Sequence, residues 1–136
     1  MTTYAQFIDR LSSMHPVGVT RIYGLGETPP ASLNNADLPA MWVQNPAADF
    51  DVMTFGSGPH WAAYRAQLVV AVLAEAAGLS LGKAFEDSIT VMDNLVLALN
   101  DVRPAQSKPT WTIRLGRVTV ANINYWAVIA EVTASG

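Results

Sequence analysis

Apolar residues at Tyr4, Phe7, Ile8, Leu11 and Met14 recur at spacings of three and four, placing them on one stripe of a helix that Thr2 or Thr3 caps and Pro16 ends. Val17 to Tyr23 is rich in β-branched residues and predicts a short strand. GLGETPPASLNNAD breaks both regular periods and predicts a long surface connection. Pro39 then introduces a short strand over Ala40 to Gln44, and NPAADFDVMTFGSGP reads as a second loop-rich passage. From His60 the pattern alternates: His60, Ala62, Tyr64, Ala66, Leu68, Val70 and Val72 share one face of a long strand. The other face begins with Trp61, Arg65 and Gln67 and turns apolar at Val69, Ala71 and Leu73, so the second half of this strand is expected to be covered on both sides.

Ser80 caps a second helix, with Leu81, Phe85, Ser88, Met92, Leu95 and Leu99 on one stripe, widened by Ala84, Ile89 and Val96. Phe85, Met92, Leu95 and Leu99 are therefore expected in the core. The helix must stop before Pro104. Thr110 to Val120 and Tyr125 to Thr133 read as two strands joined near Ala121 to Asn124. A bulge is expected at Gly116, where the apolar phase changes from Trp111, Ile113 and Leu115 to Val118 and Val120. The pattern predicts one α+β domain over residues 1–136, a mainly antiparallel sheet of about four or five strands with two helices packed on one face.

Composition narrows the use of this domain. Hydrophobic residues make up 51% of the chain and charged residues only 14%, against about 25% charged in average soluble domains, so part of the surface is expected to be covered by a partner. A net charge of -3 supplies no basic field for a phosphate backbone, which argues against a sequence-reading DNA binder. The absence of cysteine removes disulfides, thiolate nucleophiles and sulfur-ligated metals. MTTYAQFIDRL has polar residues inside its apolar pattern and no hydrophobic run ending in a small-residue cleavage site, so no secretory leader is expected. The most apolar window, Leu68 to Ala77, falls well short of the roughly 20 residues a membrane-spanning helix needs.

No motif specifies catalysis. His15 and His60 lack the paired spacing of a metal site, and neither metal nor cofactor is expected. Asp49 and Asp51 alternate with Phe50 without completing a calcium loop. YGLG at Tyr23 to Gly26 lacks the third glycine of a dinucleotide fingerprint, and FGSGP at Phe55 to Pro59 lacks the lysine of a phosphate loop. Trp42, Trp61, Trp111 and Trp126 each suit a small core, yet as a set in a weakly charged chain they favour association. A rival from another class, a small α+β enzyme or ligand-binding module, would have to group His60, Tyr64 and Asp51 at one sheet end.

The stretch PPASLNNADLPAMWVQ, with Asp37-Leu38-Pro39-Ala40 introducing the second strand, sits in an order of helix, strand, strand, long strand, helix and closing pair TWTIRLGRVTV and NYWAVIAEVTA. This arrangement resembles the tail terminator proteins of long-tailed bacteriophages, with neck and head-tail joining proteins as the alternative. The resemblance covers nearly the whole chain and rests on pattern. It implies a homo-oligomeric ring, usually a hexamer, that caps the tail tube protein and offers its other side to a head-completion or connector protein. It also implies passage of DNA without sequence-specific binding, a place in the tail-neck region of the virion after assembly in the host cytoplasm, and no active site. A proline-stiffened segment loses less entropy on docking than a flexible one. Subunit or partner contacts are accordingly expected at Leu38, Pro39, Trp42, Met53, Phe55, Trp61 and Tyr64, with the loop from Asp49 to Pro59 ordering against a partner ring.

Overall fold

The computed structural model describes residues 4–24, 30–51, 61–75, 81–101 and 110–135. Its elements are α1 (Tyr4–Ser12), β1 (Arg21–Ile22), a 3-10 turn (Asn35–Asp37), β2 (Ala40–Asp51), β3 (Trp61–Ala74), α2 (Leu81–Asp101), β4 (Thr110–Val120) and β5 (Ile123–Ser135). They form one five-stranded sheet in the order β1-β2-β3-β5-β4. Every neighbouring pair is antiparallel except β1 with β2, which is parallel. This is an α+β fold with a mainly antiparallel sheet.

Strand alternation gives the sheet two apolar faces. On one, Met41, Val43, Tyr64, Ala66, Leu68, Val70, Val128, Ala130 and Val132 pack with Phe7, Ile8 and Leu11 of α1 and with Val91, Leu95 and Leu99 of α2. Both helices therefore lie on the same face, as their stripes predict. The buried line of α2 runs through Ser88, Val91, Leu95 and Leu99, with Met92 half-buried at its margin and Ile89 exposed. The Phe85 side chain lies outside the described residues. On the opposite face Ala40, Trp42, Val69, Ala71, Tyr125, Ala127 and Ile129 form a second cluster, closed by Tyr23 and Leu33 from the segment that precedes β2.

Three expectations are corrected. The strand expected over Ala40 to Gln44 runs to Asp51, because a register shift between Gln44 and Ala47 absorbs Pro46 and lets the ladder continue past a residue with no N–H. Asn45, at φ 49, makes that shift. The Val17 to Tyr23 strand shrinks to Arg21–Ile22. Gly116 marks no bulge, for pairing runs unbroken from Thr110↔Thr133 to Val120↔Ile123.

The change of apolar phase along β4 has another cause. Trp111, Ile113 and Leu115 pack on the helix-side core, whereas Val118 and Val120 belong to the opposite cluster. The strand keeps its pleat while its cover changes sides. Gly116 is small because a Cβ there would stand 3.1 Å from Ile129 Cδ1 and 3.0 Å from an Arg114 guanidinium nitrogen. The β4–β5 turn places Ala121 and Asn122 at φ 52 and 63, the left-handed pair that matches the twist of a tight hairpin.

Candidate functional site

Within PPASLNNADLPAMWVQ, Pro29 to Gln44, the stretch expected to face a neighbour, residues 30–39 cover the chain's own sheet. Leu33 is buried in the second cluster and Leu38 packs against it. Two bonds fix the end of the segment: the Thr20 N–H donates to the Pro39 carbonyl at 2.8 Å and the Thr20 hydroxyl to the Leu38 carbonyl at 3.2 Å. The peptide bond between Leu38 and Pro39 is cis. Leu38 and Pro39 remain half-buried.

Trp42 is only 1% exposed, and Tyr64, 4% exposed, stacks beneath α1 with its ring 5.5 Å from that of Phe7. Both side chains, expected at a contact, are buried in the chain's own core. Met53 and Phe55 lie outside the described residues, as does the Trp61 side chain. Asp49 and Asp51 stand in β2 and not in a loop, and the rest of the Asp49 to Pro59 passage lies outside the described residues.

Beyond the cover of the 30–39 segment the same face becomes polar. The Trp42 indole N–H donates to Gln44 Oε1 at 3.1 Å, and Gln44 Nε2 donates to Gln67 Oε1 at 3.1 Å. Asn45 Nδ2 donates to the same Gln67 oxygen at 3.0 Å, and Gln67 Nε2 donates to Glu131 Oε1 at 3.2 Å. The Gln44 and Gln67 amides thus pass a hydrogen bond along β2, β3 and β5, from a buried indole to an exposed carboxylate, with Asn45 donating in from the side, and such chains polarise cooperatively. Beside the network lies a shallow cavity of about 190 Å³, with Ala47, Arg65 and Thr133 on its wall. The network was not foreseen, because each residue reads singly as a polar strand position; only the pairing register brings them together.

The network presents amide donors and acceptors and one carboxylate along the face of three strands. Of the rival grouping of His60, Tyr64 and Asp51, His60 and the Asp51 side chain lie outside the described residues. His15 is exposed and borders a depression of about 180 Å³ with Pro16, Val17 and Leu97. Among the described residues no group of three His, Cys, Asp or Glu side chains converges as a metal site. The exposed Lys83 ammonium is held above its ordinary pKa by its hydrogen bond to Asp87, 3.0 Å away one turn along α2, and by the Asp87 and Glu86 charges. No helix among the described residues is long and apolar enough to cross a membrane.

A second surface, also missed, lies on the helix side. Val17 is 76% and Leu97 63% exposed, and they flank the depression beside His15. Leu97 falls outside the buried stripe of α2, and that offset was the signal available in the sequence. Trp111 is half-buried against the helix-side core, and Trp126 is half-buried with the Arg117 guanidinium 5.4 Å above its ring. No protein-family model matches the chain, and no curated protein matches it.

Proposed function

We propose that the chain is a tail terminator, the subunit of a ring that caps a phage tail tube and gives the head its attachment surface. The observation that carries the reading is the element order around Asp37-Leu38-Pro39-Ala40: a 3-10 turn ends at Asp37 and β2 begins at Ala40, between an N-terminal helix and a long strand, helix and hairpin. Two further features support it. The exposed Val17 and Leu97 are apolar groups whose burial a subunit or partner contact would complete. The net charge of -3 suits a channel through which DNA slides without adhering.

In this reading the protein acts as a shaped, rigid block. The two-sided core holds the sheet, the polar half-face offers directional hydrogen bonds to the tube or the head-completion protein, and ring symmetry repeats them around the channel. Deleting the gene from its phage tests the proposal. Heads and tails should form, the tails should be unfinished or unjoined, and supplying the protein in trans should restore particles. Normal yield of joined particles from the deletion would overturn it.

A further inference from the structure

The two ends of the amide network differ in chemistry. At one, the Trp42 indole, 1% exposed, carries an N–H and no acceptor, so it can only donate. At the other, the exposed Glu131 carboxylate can only accept. The residues between them stand in register, Gln44 opposite Gln67 and Gln67 opposite Glu131. Because the indole donates to Gln44 Oε1 at 3.1 Å, the Gln44 amide turns its nitrogen outward, and that nitrogen donates to Gln67 Oε1 at 3.1 Å. Gln67 then turns its own nitrogen to Glu131 Oε1 at 3.2 Å.

Asn45 tightens this order. Strand alternation would send its side chain to the helix face, away from Gln44. The register shift, with Asn45 at φ 49, turns it back, and its Nδ2 donates to Gln67 Oε1 at 3.0 Å. That oxygen accepts two donors, which fills both of its lone pairs. Reversing the Gln67 amide would set its nitrogen against the nitrogens of Gln44 and Asn45 and its oxygen against the Glu131 carboxylate. Asn45, a side branch, can turn over with it. Gln44 cannot, because the indole behind it offers only a donor.

We propose that this chain of amides is a one-way relay, its direction fixed by Trp42 and Glu131 together, which couples the exposed carboxylate to the indole beneath the 30–39 cover. A change at Glu131 from acceptor to donor leaves two donors facing each other somewhere along the chain, and one bond is lost. A partner that draws the carboxylate away from Gln67 weakens the same chain from its open end, and by linkage a loosened cover weakens the hold on Glu131. Leu33 of the cover and Trp42 belong to one buried cluster, so the indole is the point where the apolar half of this face meets the polar half. The relay operates within one chain and does not depend on a place in a ring.

Reversing the outer end tests the relay. Glu131→Lys puts a donor in place of the acceptor at an exposed position, and the Trp42 indole N–H resonance is followed by NMR alongside stability in urea. The resonance should move, and the folding equilibrium constant should fall by roughly two- to tenfold, the scale of one lost hydrogen bond. Glu131→Gln, which can still accept, should move the resonance in the same direction but less. Gln44→Met cuts the chain beside the indole. In that background Glu131→Lys should leave the resonance in place and cost less stability, since Gln67 is then free to turn over. The charges of Arg65 and Arg114, diagonal to position 131 on the flanking strands, act alike in both backgrounds and cancel in the comparison. Gln67→Met cuts the chain one step farther out, with the indole's own bond intact, and should likewise leave the resonance unmoved by Glu131→Lys. An indole that does not respond to Glu131→Lys in the otherwise native chain would overturn the relay. An equal movement in either cut background would overturn it too, because it would show the lysine charge acting through space.

Discussion

The two faces of the sheet are covered by different means, and the difference explains the composition of each. The helix face is roofed by α1 and α2, and it is apolar from Met41 and Val43 across to Val128, Ala130 and Val132. Among the described residues the opposite face is roofed only where Leu33 and Tyr23 reach, and there it is equally apolar, with Trp42, Val69 and Tyr125 buried. One pleat period farther along the strands, Trp42 gives way to Gln44 and Val69 to Gln67. A sheet face here is apolar where a described segment covers it and hydrogen-bonded where none of the described segments does. β4 records both states in a single strand, changing its apolar side at Gly116.

If an irregular segment covers as effectively as a helix, truncating large residues under each roof should be comparably costly. Trp42→Ala should lose about 3 to 5 kcal/mol and Leu95→Ala about 2 to 5 kcal/mol of folding stability, both read from urea unfolding. A loss below about 1 kcal/mol for Trp42→Ala, against a large loss for Leu95→Ala, would mean that the 30–39 segment is a loose cover.

The polar half sharpens it. Gln67→Ala removes the residue that accepts from both Gln44 and Asn45 and donates to Glu131. Part-exposed partners recover some bonds from water, so a loss of about 1 kcal/mol is expected. A cost like that of Leu95→Ala would show the network to be structural core in all but name. At the hairpin the sign reverses. Ala121 sits at φ 52, where a Cβ costs about 1 to 2 kcal/mol, and Ala121→Gly should raise stability by part of that amount in a thermal melt.

The smallest effect is expected beneath the helix roof. Ser12 is 6% exposed and its hydroxyl has no hydrogen-bond partner among the described residues, so Ser12→Ala should leave stability unchanged or raise it by up to about 1 kcal/mol. A clear loss would reveal a bond made by that hydroxyl and a less apolar roof than described.

Much of this fold was legible in the sequence. The 3-4 spacing of Phe7, Ile8 and Leu11 and the alternation of Tyr64, Ala66 and Leu68 are local periodicities, and local periodicity is what a helix or strand writes into a chain. The strand through Pro46 was not legible, because a shift that tolerates proline depends on β3 alongside it. Nor was the cover at Leu33, since a segment rich in proline and asparagine looks the same whether it seals its own sheet or a neighbour's. The same ambiguity sent Trp42 and Tyr64 to an expected interface: aromatic residues mark cores and contacts alike, and only burial separates them. The amide network joins residues as far apart as Gln44 and Glu131, a proximity carried by register alone.

The proposed function would put a ring of this chain at the end of the tail where the head attaches. Electron microscopy of phage carrying a tagged copy, labelled through the tag, addresses it directly. The account predicts label at the head-proximal end of the tail, on free tails as well as joined particles, in a ring about the channel. Label along the tube, at the distal tip or on the capsid shell, or no label on purified particles that contain the untagged protein, would contradict it.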